Sequence, residues 1–547
     1  MISAAPLPGL MQDRPLLISS LLNYAATYHP RRQLVTRTVE GAIHRCTYAD
    51  VARRSAQLAR ALLRLGLRPS DRVGTLAWNT YRHFELFYAI SGLGAVLHTV
   101  NPRLFEEQIT FIVNHGEDRF LFVDRTFLPL VARLAPVLET VEEIVVLGSR
   151  RTDDNDDIGT RELLYSEELI AAESAEFDWP TFDERSASAL CYTSGTTGDP
   201  KGVLYHHRST VLHALGAAQK SAMNLGCDDC IMSIAPMYHA NGWGIPYLAT
   251  LTGAKLVMPG PRFDAANIVD LINEEQVTFA CGVPTVWTIV LAHLRETGGR
   301  IDSLNRTTIG GSAVSRAMID ELATYGVNVL QLWGMTELSP LGTVATPTPD
   351  LDALGSEKRA QILAQQGRGQ YGVELKIIGR SGESLPRDGE SAGPLWVRGP
   401  WIASAYYKRD GEPLLDADGW FPTGDVATID AYGYLRVTDR IKDMIKSGGE
   451  WISSIELEDA AAGHPKVALV AVIGVAHPKW EERPLMIVQC AKDQTLTHKE
   501  MVEYLANRVA SWWMPDALVT VDVMPLTATG KVLKAELRQR FRDFPLS

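Results

Sequence analysis

The sequence predicts an α/β and α+β protein: a large N-terminal domain of stacked sheets with helices, followed by a small C-terminal α+β domain. Three observations lead there. At 547 residues the chain exceeds one ordinary core, with room for roughly two to four units of ~150 residues. Short apolar strands alternate with amphipathic helices through most of it, the pattern of a parallel, helix-covered sheet. The last roughly one hundred residues then form a unit large enough to fold independently.

The elements follow in order. "TYADVARRSAQLARALLRLG" sets Val51, Leu58, Ala59, Leu62 and Leu65 on one helical face, with Thr47 and Asp50 as a capping pair and Gly66 as terminator. "RVGTLAW" reads as a buried strand, "FELFYAISGLG" as a helix, and "AVLHTV" and "RFLFVD" as further strands. The rhythm returns in "GAKLVMPG", "VTFACGVP", "RTTIGGSA" and "VNVLQLWG", each strand separated from the next by a helical segment. Ligands of open α/β sheets sit beyond the carboxyl ends of such strands, where "CGVP", "GGSA" and "WGMTE" fall. After "RIKDMIKSGGEWIS" come the helix "IELEDAAAGHP", the strands "VALVAVIGVAH" and "PLMIVQCA", the helix "THKEMVEYLANRVA" and the strand "LVTVDVM". We divide the chain into a domain 1–438, a hinge 439–444 and a domain 445–547.

Composition narrows the function. A net charge of −12, with 46% hydrophobic and 22% charged residues, argues for an ordinary globular protein and against bulk nucleic-acid binding. An anionic substrate would have to be met by a few placed cations. The N-terminal stretch lacks the basic and apolar regions of a signal peptide, no run reaches the ~18 apolar residues of a membrane span, and the final "FPLS" is not a peroxisomal address, so a cytoplasmic location is expected. Six cysteines are too sparse for a disulfide framework, and "CDDC" at Cys227 and Cys230 lacks the second pair or histidines of a zinc site. The acidic "DDNDD" reads as a solvated loop, since it lacks the glycine and distal glutamate of a calcium loop.

Chemistry concentrates in short stretches. "YTSGTTGDPKG" surrounds Gly195 and Gly198 with Thr193, Ser194, Thr196, Thr197 and Lys201, a composition that lets backbone N–H groups and hydroxyls converge on an anion. It is not a Walker loop, because no GxxxxGKS or GxxxxGKT is present. By itself it is equally a mobile turn. "QLWGMTELSP" places Thr336 and Glu337 after a strand, oxygen ligands suited to magnesium or simply a helix-start acid. "WFPTGD" supplies Asp425, able to accept two hydrogen bonds from a ribose diol, or to close a turn. "DRIKDMIKSGGEW" offers Arg440, Lys442 and Lys446, and "PLTATGKV" offers Lys531, which alone would be a solvated turn lysine.

In their order and spacing, "YTSGTTGDPKG", "GGSA", "WGMTE", "WFPTGD", "DRIKDMIKSGGE" and "PLTATGK" resemble the adenylate-forming acyl-CoA synthetase superfamily, in its fatty-acyl-CoA ligase and 3-methylthiopropionyl-CoA ligase branch. The resemblance spans Tyr192 to Lys531. It implies two half-reactions: a carboxylate attacks the α-phosphorus of ATP, giving acyl-AMP and pyrophosphate, and the thiol of coenzyme A then displaces AMP. The first step brings an anion to a polyanion, so its barrier is largely one of electrostatics and positioning.

By the same resemblance, Thr193, Ser194, Gly195, Thr196, Thr197 and Lys201 would hold the β- and γ-phosphates. Trp333, Gly334, Met335, Thr336, Asp425 and Arg440 would bind the rest of ATP, with Asp425 on the ribose. Thr193 and Glu337 would serve magnesium. Gly310, Gly311 and Ser312 would line the adenine and acyl walls, and His239 and Trp243 the acyl pocket, Trp243 as a gate. Lys531 would bridge the carboxylate and the α-phosphate; it stands with Glu337, Thr193 and His239 as the catalytic set. Lys442 matches the family hinge about which a mobile C-terminal domain turns, presenting Lys446, Gly448, Gly449 and Trp451 to coenzyme A. A homodimer is suggested by similar enzymes.

The gate tryptophan and the "GGEW" form of the hinge motif point to a medium- to long-chain fatty acid. Stretches such as "HRSTVLHA" and "GMTELSPLGT" point equally to the branch acting on 3-methylthiopropionate, a short thioether acid. A luciferase-like oxygenase and an adenylation enzyme loading a carrier protein share the first half-reaction. A binding module without catalysis is disfavoured by the presence of Glu337, Asp425 and Lys531.

Overall fold

The computed structural model describes residues 7, 9–151, 157–158, 161–193, 199–312, 314–379, 381–409, 411–448, 450–527 and 531–546. The expected phosphate-loop residues Ser194, Gly195, Thr196 and Thr197, and Gly449 of the expected coenzyme A loop, lie outside these.

Four sheets form among the described residues. In a nine-stranded sheet, Gln33–Arg37, Lys255–Met258, Cys230–Ser233, Phe279–Gly282, Arg306–Ile309 and Asn328–Gly334 run parallel in that order. An eight-stranded sheet orders its parallel strands Ala187–Tyr192, Val96–Thr99, Arg72–Leu76, Asp118–Asp124 and Glu143–Leu147. The expected strands are all here, and their parallel pairing follows from the helices between them, since only a crossover lets consecutive strands run the same way.

Helices pack between the two large sheets. Helix Tyr48–Arg64 starts with the expected capping box: Thr47 Oγ1 accepts from Asp50 N at 3.2 Å and Asp50 Oδ2 from Thr47 N at 3.1 Å. Its buried Val51, Leu58, Ala59 and Leu62 join Phe84, Phe87 and Tyr88 of helix Tyr81–Gly92 in one core cluster. That cluster touches both sheets, through Val73, Leu97 and Phe120 on one and Leu34, Ile231 and Phe279 on the other. Each large side chain so buried contributes about 1.5–3 kcal/mol.

A four-stranded antiparallel sheet, Glu374–Ile377, Gly393–Arg398, Phe421–Ile429 and Leu435–Arg440, follows. After a short turn, Ile445–Ser447 opens the last sheet, built on the long hairpin Val467–His477 and Glu481–Cys490, with Ala517–Thr520 alongside in parallel. Helix His498–Leu505 stops five residues short of the expected Ala510, where Arg508 N and Val509 N both turn back to Leu505 O.

Candidate active site

The parallel strands Phe279–Gly282, Arg306–Ile309 and Asn328–Gly334 deliver Val283, Gly311 and Met335–Glu337 to one edge of their sheet. Three cavities meet there. The largest, about 540 Å³, is bordered by Thr193, Lys201, Thr336, Glu337, Arg440 and Lys442, together with Gly334 and Met335. A second, about 100 Å³, runs among Ile234, Phe263, Val283, Val286 and Trp243. A third, about 120 Å³, lies against Ser312, Trp333, Asp425 and Val437. Gly311 and Lys531 border all three.

Gly311 has to be glycine at this junction. Its φ is +86°, and a Cβ would stand 3.4 Å from Val283 Cγ1 and 3.9 Å from both Lys531 Cε and Trp243 Cζ2. Gly310 borders none of the cavities. A Cβ there would meet Leu332 Cδ1 at 2.3 Å, so close strand packing explains that glycine.

The two buried carboxylates already have protein partners. Asp425 Oδ2 accepts from the Trp333 indole at 2.8 Å, and Oδ1 pairs with Arg440 Nε at 3.3 Å across neighbouring strands. Trp333 therefore orients Asp425, leaving each oxygen one further lone pair. Glu337 Oε1 accepts from Tyr406 Oη at 2.6 Å, and the Lys201 ammonium stands 4.7 Å from the centre of the Tyr406 ring. Tyr406 thus ties the lysine of one motif to the carboxylate of another, a role no motif signalled, since "SAYYKR" carries no pattern of its own. Thr193 and Lys201 pair directly: Thr193 N donates to Lys201 O at 2.9 Å and Thr193 Oγ1 accepts from Lys201 N at 3.2 Å.

Lys531 arrives from the C-terminal unit. That unit is docked through the start of helix Ser454–Ala462: Ser453 Oγ donates to Thr438 O at 2.5 Å, Ser454 N to Asp439 Oδ2 at 2.6 Å, and Arg436 pairs with Glu456 at 2.8 Å. Burial, with the Arg440 guanidinium adding to it, pushes the Lys531 ammonium down to about 8 against the pull of Asp425. The same burial and the Lys531 charge hold His239 down to about 4, so its imidazole is neutral near pH 7. His239 and Trp243 both border the small apolar cavity. Trp243 is 5% exposed and adopts a φ of +56°, a left-handed conformation costing about 1–2 kcal/mol.

Lys446, Gly448 and Trp451 lie on the hairpin Ile445–Ile452 and border none of the three cavities. Here the structure adds residues that the sequence reading missed. Gly448, at φ +60°, donates its N–H to Trp480 O at 2.8 Å, and a Cβ on it would come within 2.8 Å of the Trp480 ring. Trp480 meets Trp512 edge-on at 4.9 Å, and Lys479 Nζ lies 4.4 Å from the Trp480 ring centre. Among the described residues no group of three or more His, Cys, Asp or Glu side chains is placed to cage a metal, and no helix is long and apolar enough to cross a membrane.

Residues 22–407 match the model of the AMP-binding enzyme family, and residues 456–531 match that of the AMP-binding enzyme C-terminal domain. The chain belongs to the AMP-binding enzyme family. This AMP-binding enzyme is 48% identical to a 3-methylmercaptopropionyl-CoA ligase of Ruegeria pomeroyi over 98% of its own length and 99% of that protein. It is 46% identical to a medium-chain-fatty-acid–CoA ligase of Ectopseudomonas oleovorans over 98% of both chains. The crystal structure of an anthranilate CoA ligase in complex with anthranoyl-AMP shares its fold, with a TM-score of 0.84 at 24% identity over 97% of this chain and 99% of that one. The AMP-binding enzyme is accordingly an acid–thiol ligase of the acyl-CoA synthetase kind.

Proposed function

We propose that this enzyme joins an apolar carboxylic acid to coenzyme A at the expense of ATP, with the three cavities taking the acyl tail, the triphosphate and the nucleoside. The observation that carries this is the place of Lys531, at the meeting point of all three. An ammonium there stands between an incoming carboxylate and the α-phosphate. It screens their repulsion as the C–O–P bond forms and pyrophosphate departs toward Lys201. Lysine suits the task as a compact charge on a flexible stem. Asp425, aligned by Trp333, takes the ribose hydroxyls on its remaining lone pairs.

Magnesium fits this donor set. Glu337 keeps one oxygen beyond Tyr406, and Thr336 and Thr193 stand on the same cavity; a single carboxylate with hydroxyls suits an ion held mainly by phosphates and water. When bound, the ion would neutralise phosphate charge. His239, neutral, supplies a polar wall without adding charge beside Lys531.

The second half-reaction is assigned to a C-terminal unit turning about residues 439–444 near Lys442, which withdraws Lys531 and brings the Gly448 hairpin to the acyl-AMP. Trp480 and Trp512 frame that hairpin with aromatic surface suited to the coenzyme A arm. Trp480→Ala should raise the KM for coenzyme A about tenfold in steady-state assays and leave the KM for ATP within twofold; equal changes in both would remove the assignment.

The acid is set by the small cavity. A volume of about 100 Å³ is two-thirds of the ~150 Å³ cavity that holds a six-carbon benzene ring, so it suits a tail of roughly four heavy atoms. This volume favours a second reading, a short thioether acid such as 3-methylthiopropionate. A medium- to long-chain fatty acid fits the same site once Trp243 moves off Gly311. The test is a panel from propionate to palmitate with 3-methylthiopropionate, following AMP and thioester together for the wild type and Trp243→Ala. The wild type should favour the short acids, and the variant should gain about tenfold in kcat/KM for octanoate and longer acids. Absence of AMP release with every acid would end the ligase reading, and transfer to a carrier protein in place of free coenzyme A would redirect it.

A further inference from the structure

The turn that carries Trp243 runs in the left-handed sense throughout. Ala240, Asn241, Gly242, Trp243 and Gly244 have φ values of 36°, 44°, 63°, 56° and 74°, five consecutive residues in a region L side chains rarely adopt. Such a run persists only where its surroundings determine it. Gly242 N donates to His239 O at 2.9 Å, closing the turn. Gly242 packs on Met237, where a Cβ would sit 3.2 Å from Met237 Cα, and Gly244 packs on His213, where a Cβ would sit 2.7 Å from the ring.

The remaining hold comes from the other large sheet. Asn241 is 4% exposed, and its Oδ1 accepts from Thr99 Oγ1 at 2.9 Å and from Cys191 Sγ at 3.1 Å. Thr99 ends the strand Val96–Thr99, and Cys191 is the penultimate residue of the neighbouring strand Ala187–Tyr192. The two side chains also meet each other at 3.3 Å. Asparagine meets both demands of the position, because its side chain tolerates the left-handed region and offers an acceptor. None of these three residues borders the acyl cavity, yet the turn they hold supplies two of its walls, His239 and Trp243. Two residues past Cys191 the chain reaches Thr193, on the triphosphate side.

We infer that Thr99, Cys191 and Asn241 are positioning residues for acid selection: by pinning the left-handed turn they keep Trp243 against Gly311 and so set the length of acid accepted. The inference rests on the acyl-CoA ligase reading for its substrate. The pin itself does not.

Two variants break the pin differently. Thr99→Val removes the donor with little change of shape, and Asn241→Gly keeps the left-handed conformation but loses the acceptor. Thr99→Ser restores a donor, and Cys191→Ala, which removes only a weak thiol donor, is the mildest change should either of the first two melt near room temperature. In the full-length enzyme, kcat/KM for octanoate relative to butyrate should rise at least tenfold in Thr99→Val and Asn241→Gly, rise less in Cys191→Ala, and stay within twofold of wild type in Thr99→Ser. Without any substrate, hydrogen exchange across residues 239–244 should quicken at least tenfold in the same variants, while helix Tyr48–Arg64 is unaffected. Faster exchange with an unchanged octanoate-to-butyrate ratio overturns the role in selection. Unchanged exchange overturns the pin. A wild type that activates no acid would fail the ligase reading and take the selection role with it, and the exchange measurement would still decide the pin.

Discussion

Lys531→Ala should cut acyl-AMP formation by about a hundred- to a thousandfold, the usual range for removing one preorganised electrostatic contact from a transition state. Thioester formation from supplied acyl-AMP should stay within about threefold of wild type. The asymmetry follows from position: Lys531 borders all three cavities assigned above to the acyl tail, the triphosphate and the nucleoside, while the hairpin assigned to coenzyme A borders none of them. Single-turnover assays of each half-reaction decide the matter, and equal loss in both would refute the division of labour.

The same residue should give adenylation an alkaline limit. With its ammonium pushed down to about 8 in the free enzyme, kcat/KM for ATP and acid should fall as pH rises through about 8, because the cation is then lost. Lys531→Arg, which stays charged to far higher pH, should lose that limb even if its rate is lower. The stability sign is opposite. Between about 8 and the ordinary lysine range the unfolded chain holds more protons at this site than the folded one, so Lys531 makes the fold more stable as pH rises through that window. A pH profile with no break near 8 in the wild type, or with the same break in Lys531→Arg, would place the limiting group elsewhere.

Glu337→Gln should lower adenylation by about a hundredfold and weaken its dependence on magnesium, since it deletes one of the few protein charges available to a phosphate-held ion. The change is nearly isosteric. The Tyr406 hydroxyl, now 2.6 Å from Oε1, would retain a carbonyl acceptor, so a loss of rate would not be a loss of packing. Raised magnesium should recover part of the activity. Adenylation within threefold of wild type, with an unaltered magnesium requirement, would remove Glu337 from the metal role.

Much of the proposed site was legible in the chain because its chemistry is local. A loop proposed to hold phosphates needs several donors within a few residues, and threonines, glycines and a lysine cluster in the sequence between Thr193 and Lys201. The strand-to-loop junctions before Gly311 and Met335 were legible for a similar reason: apolar runs ending in glycine mark where parallel strands stop. The left-handed backbone of Gly311, at φ +86°, accounts for a glycine that the sequence reading tied only to the close approach of a ligand ring.

Other features lie beyond any local spacing. Tyr406 reaches Glu337 across 69 residues, Trp333 reaches Asp425 across 92, and Thr99 holds Asn241 across 142. None of these pairs carries a sequence signature, because a tyrosine, a tryptophan or a threonine in a strand or loop is ordinary until its partner is known. The sequence by itself determined the reaction class, since the residue types needed to handle ATP recur in short, ordered stretches. Only the tertiary structure decided the rest: the docking through Asp439 that delivers Lys531, the tie from Lys201 through Tyr406 to Glu337, and a left-handed turn whose Trp243 borders a cavity of about 100 Å³. The physical reason is that volume and reach depend on how separate sheets pack against one another, and packing is a property of the whole fold.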